Sequence, residues 1–125
     1  MADLTYTGLQ KAITALEKDI RRSADDIRAW AQYINDEAID TARVAETIAA
    51  IGVDPDTIAE THEVAKLMAG LSEAAIAYAS ASDTTAKTAS AARDQARASH
   101  EGIKEAYSRA PADVSRLKRA WLTPQ

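Results

Sequence analysis

Between Gly8 and Gly52 the chain has neither glycine nor proline, and isoleucine returns there almost every seventh residue. Ile13, Ile20, Ile27, Ile34, Thr41 and Ile48 share one heptad position, a. Leu9, Leu16, Ser23, Trp30, Glu37, Val44 and Ile51 share another, d. This 4-3 spacing runs without a skip, the period of a stripe that lets one helix pack on another over its full length. The pattern predicts a helix over about 7–51, with Thr7 and Gln10 forming a capping box at its start.

The next residues read as a turn. Gly52 suits the left-handed position just past a helix end. Asp54 is a good N-cap, Pro55 fits the first helical position, and Asp56 places negative charge near the positive end of the new helix dipole. So short a link folds the second helix back on the first. The sequence therefore predicts an all-α antiparallel helical hairpin, coiled-coil-like, with a turn at 52–54 and a second helix over about 55–110.

The second helix repeats the 4-3 period through Val64, Met68, Leu71, Ala75, Tyr78, Ser82, Thr85, Ala89, Ala92, Ala96, Ser99, Ile103 and Ala106. Folding the two stripes together about the turn pairs Val44 with Val64, Thr41 with Met68, Ile34 with Ala75 and Trp30 with Tyr78. Farther from the turn, Ile20 meets Ala89, Leu9 meets Ser99 and Tyr6 reaches Ile103. Large residues face small ones, which fills a narrow seam without voids. One layer conflicts, because Glu37 would face Leu71 and an unpaired charge is costly to bury. Either Ala38 takes the seam there or Glu37 reaches solvent.

Apolar residues remain outside this seam. Ala24, Ala31, Ala38 and Ala45 form a second stripe on the first helix, and Ile58, Leu67 and Ile76 lie off the stripe on the second. These seven are the expected contact with a second hairpin, giving a homodimer built as a four-helix bundle. Pro111 should end or kink the second helix. Beyond it, Val114, Leu117 and Trp121 share one face of a short helix over about 112–121. Leu117 and Trp121, with Arg109, Arg116, Lys118 and Arg119, are candidate partner contacts there. The four cations also suit a nucleic acid or a membrane surface.

Composition narrows the functional classes. The chain has no Cys, which excludes a disulfide framework and thiolate chemistry. No basic leader with an apolar run opens it, and no stretch of about 18 apolar residues occurs, so the expected setting is cytoplasmic. Residues 1–63 hold six Lys/Arg against thirteen Asp/Glu, a net of −7. Residues 64–125 hold nine against six, a net of +3. Charge of this kind on long helices is usually a solvated face.

His62 and His100 have no Glu three residues before them and no second His four residues away, so helical metal-site patterns fail. Both histidines read as exposed. The acidic residues Asp25, Asp26, Asp36, Glu37 and Asp40 interleave with Arg21, Arg22 and Arg28, and Glu17 pairs with Arg21 at i,i+4. No nucleophile elbow or phosphate-binding glycine loop is present. The expectation is a non-enzymatic interaction module without cofactor.

Two resemblances follow from these residues. A hairpin in an alanine-rich chain resembles in architecture the small secreted helical-hairpin proteins of actinobacterial type VII secretion. Their Trp-any-Gly turn is replaced here by Ile51-Gly52-Val53. Their Tyr followed four residues later by an acid is matched only by Tyr33 and Glu37, inside the first helix, and Tyr107 is followed by Pro111. The chain as a whole, with Ser72–Thr85 (SEAAIAYASASDTT), is similar to small helical proteins encoded on conjugative plasmids and integrative elements of actinomycetes. That resemblance implies an accessory role in plasmid transfer or maintenance and assigns no functional residue.

Overall fold

A computed structural model describes residues 5–109. It holds two helices, α1 (Tyr6–Ala50) and α2 (Pro55–Arg109), packed against each other. The expected helix over 112–121 lies outside the described residues, and with it Arg116, Leu117, Lys118, Arg119 and Trp121.

The turn forms as its residues dictate. Gly52 takes φ +82°, its N–H donates to Ala49 O at 3.2 Å, and the Val53 N–H donates to Ile48 O at 3.0 Å. This pair of bonds is a Schellman ending, which satisfies carbonyls that the helix end would leave open. The Thr57 N–H and hydroxyl donate to the two carboxylate oxygens of Asp54 at 2.9 and 2.7 Å, so Asp54 caps α2. Those two donors hold its carboxyl below the usual carboxylate range. The start of α1 differs from the expected box. Thr5 is the cap, its hydroxyl accepting the Gly8 N–H at 3.0 Å, and Gln10 turns instead toward α2.

The chain divides into two compact units, one spanning Arg22–Asp83 and one made of the flanking segments, through Arg21 and from Thr84. In Arg22–Asp83 the buried residues are Ala24, Ala31, Ala38 and Ala45 on α1, with Ala65, Ser72 and Ala79 on α2. Each row repeats every seven residues. The Ser72 hydroxyl donates to Ala31 O at 2.8 Å, a direct link from one helix to the other. The half-buried Thr41 and Met68 meet, Oγ1 to Sδ, at 3.7 Å, as the folded register predicts. Arg28 bonds Asp25 at 3.1 Å and reaches across to Asp83, whose hydrogen bond raises the arginine pKa further.

This corrects the seam. Its a half, Ile27, Ile34, Thr41 and Ile48, stands, as do Met68, Ala75 and Ser82 on α2, all half-buried. Its other half moves one residue along the chain. Ala31 replaces Trp30, Ala38 replaces Glu37, Ala45 replaces Val44, and Ala65, Ser72 and Ala79 replace Val64, Leu71 and Tyr78. The four alanines expected to meet a second hairpin therefore lie inside this one. Methyl side chains allow two helix axes to approach toward the short end of the usual 8–10 Å range, which Trp30 or Tyr78 between the helices would prevent. At the Glu37 layer Ala38 takes the seam, buried, and Glu37 beside it is half-buried.

In the other unit the row that continues the alanines is mostly polar, beside half-buried Ile13, Ile20, Ala89 and Ala96. Ala86 is buried, and seven and fourteen residues after it come Arg93 and His100. Arg93 Nη1 bonds Glu17 Oε2 at 3.1 Å, with both side chains about four-fifths covered. Glu17 also accepts from Arg21 at 3.1 Å, the predicted i,i+4 pair. The Gln10 amide donates to Arg93 O at 3.4 Å. His100 is buried, not exposed as expected, and stacks on Tyr6 with ring centroids 3.8 Å apart and planes 5° from parallel. Tyr6 thus meets His100 where Ile103 was expected, and Ile103 is exposed. His62 is exposed as expected.

Candidate interaction surface

The shift of the seam by one residue turns large side chains outward. In Arg22–Asp83, Trp30, Val44 and Ile51 stand exposed on one segment, and Val64, Leu71 and Tyr78 on the other, with Trp30 and Tyr78 each nearly two-thirds exposed. Five of the six immediately precede a buried residue, and Ile51 stands seven residues beyond Val44. One residue back along an α-helix is a rotation of about −100°. In two antiparallel helices the same rotation away from the shared seam opens to the same side, so the two rows flank one face. Between them lie the half-buried Ile27, Ile34 and Ile48 of α1 and Met68 and Ala75 of α2.

At one edge of this face Trp30 and Tyr33 meet edge to face, with centroids 6.1 Å apart and planes at 88°. With Asp26 and Ala29 they line an open notch of about 490 Å³. The aromatic pair is more than half exposed to solvent. Charge sits at the margins, where Asp26 and Asp40 each stand one residue before the central a row and are exposed. Glu37 is the one charged member of the flanking rows.

The remaining expected site residues scatter. Ile58 is half-buried, seven residues before Ala65 on the buried row of α2, whereas Leu67 and Ile76 are exposed. Arg109 is exposed and paired with Glu105 one turn earlier. Placing Trp30, Val44, Leu71 and Tyr78 between the helices hid them as a surface. The available signal was the alanine row itself, since four alanines at heptad spacing make a close-packing stripe as regular as the isoleucines.

Among the described residues no three His, Asp or Glu side chains gather as a metal-holding group, and no helix is long and apolar enough to cross a membrane. No family model matches the chain, and neither a curated protein nor a solved structure matches it.

Proposed function

We propose that the chain is a non-enzymatic protein-interaction module that works by laying the apolar face of Arg22–Asp83 on another helical surface. The observation that carries this reading is the exposure of Trp30, Val44, Ile51, Val64, Leu71 and Tyr78 beside an interior whose buried members are alanines and one serine. Contiguous apolar area of this size on a water-soluble surface marks an interaction site. Covering it with two more helices gives a four-helix arrangement, the assembly that closes such a face. The acidic margin disfavours phosphate backbones and anionic lipid, so this face serves a protein. An accessory role in plasmid transfer or maintenance is the proposed setting, supported by the resemblance of Ser72–Thr85. A nucleic-acid or membrane contact through Arg109, Arg116, Lys118 and Arg119 is a separate proposal that rests on the sequence.

Site-specific photo-crosslinking in cells tests the reading. A photoreactive phenylalanine analogue at Tyr78 should give discrete protein adducts, to any partner, and the same group at exposed Lys66 should not. Equal adducts at both positions, or none at Tyr78, would overturn it.

A further inference from the structure

Resting on that reading, we infer that the occupant of the face is a second copy of this chain, seated through the same face about a two-fold axis. Three features of Arg22–Asp83 lead there.

The first is what the hairpin lacks. No large side chain is fully buried anywhere among the described residues, and the buried residues of this segment are alanines with Ser72. A buried methyl contributes about 0.8 kcal/mol, whereas covering a Leu, Ile or Val contributes roughly 1.5–3 kcal/mol. A large part of the hydrophobic stabilisation available to this segment is therefore still exposed to water. An occupant needed for stability must be present whenever the chain is, and a second copy always is.

The second is area. The six exposed side chains leave on the order of 700 Å² open on one face, close to the roughly 800 Å² per partner of a standard stable interface. The half-buried isoleucines and Met68 between them add to it.

The third is shape. The α1 side of the face is raised, with Ile27, Trp30, Ile34 and Ile48. Part of the α2 side is low, with Ala75 and Ser82 on its central row. A two-fold axis that lays α1 of one copy over α2 of the other sets bulky residues on small ones twice, as an isologous contact requires. Glu37 is the residue that such a dimer tolerates least.

Light scattering across a dilution series, with circular dichroism on the same samples, tests this. The expected mass is twice the 13.4 kDa of one chain. Leu71→Glu should weaken the dimer at least a hundredfold, and Glu37→Leu should tighten it about tenfold. Ile76→Glu, exposed but off the face, should leave dissociation within twofold of the parent and so controls for general loss of folding. A helical monomer at every concentration would overturn the second-copy inference while leaving the interaction module intact, its face then belonging to a different protein. A dimer untouched by Leu71→Glu, or broken equally by Ile76→Glu, would overturn both the inference and the assignment of the face.

Discussion

The two units use the same heptad frame for opposite chemistry. In Arg22–Asp83 the inward row is alanine, with Ser72 supplying the one buried hydroxyl, and the helices meet through methyls and backbone. In the unit flanking it the corresponding row is Gln10 and Glu17 against Arg93 and His100, held by an ion pair, an amide bond and a ring stack. Alanine rows set how closely two helices approach but specify register weakly, because one alanine layer is much like the next. A Glu–Arg pair fits one register and penalises any slip by leaving a charge unpaired. One unit thus supplies closeness and the exposed face that follows from it, and the other places a charge pair where a change of register would cost most.

The largest way to break this contrast is to enlarge the alanine row. Ala31→Leu has no room, because Ala31 is 0% exposed and its carbonyl carries the Ser72 bond. It should cost about 3 kcal/mol, read from the denaturant midpoint, with loss of the close helix approach. A stable Ala31→Leu protein would show that the row is loosely packed.

The polar row should respond next. Removing Glu17 alone, as Glu17→Leu, leaves Arg93 unpaired in a mostly covered position and should cost roughly 1–2 kcal/mol, below the full buried-pair figure because about a fifth of the arginine stays in water. The double variant Glu17→Leu with Arg93→Leu should recover most of that loss. If register locking is what the pair contributes, the double variant gains slower-exchanging alternative states in NMR spectra while keeping its stability. A single set of sharp resonances would assign the lock to Tyr6 and His100 instead.

A smaller effect is expected from Ser72→Ala, about 1 kcal/mol, since the lost hydroxyl bond leaves Ala31 O with its backbone partner. The smallest concerns the turn. Asp54→Ala should lower Tm by a few degrees at neutral pH and have no effect in strong acid. The carboxyl is depressed in the folded chain, from an ordinary value of 3.8. Its contribution is therefore complete above that value and is lost as pH falls through the lower folded one. A Tm difference that persists at pH 2 would show that the cap acts through something other than the charged carboxylate.

Much of this was legible in the chain. The heptad, the Gly52 ending, the Asp54 cap with Pro55 after it, the Glu17–Arg21 pair and the Thr41–Met68 register are local consequences of residue type and spacing. So was the trouble at Glu37, since a charge at a seam position announces its own misfit. His100 was not legible, because a lone histidine on a helix gives no sign of the tyrosine that stacks on it 94 positions away in sequence.

What the sequence by itself determined is the period: two helices, a reversal at residues 52–54, and a stripe repeating every seven residues. What only the tertiary structure decided is the phase of that stripe. Every heptad position repeats with the same period, so Trp30 and Ala31 satisfy it equally, and rows a-with-d and a-with-e differ by a rotation of about 50°. The choice is made where two helices meet, because backbones that approach across alanine exclude the large residues beside it. That rotation leaves Ala31 inside, and Trp30 and Leu71 on the face we assign to a partner.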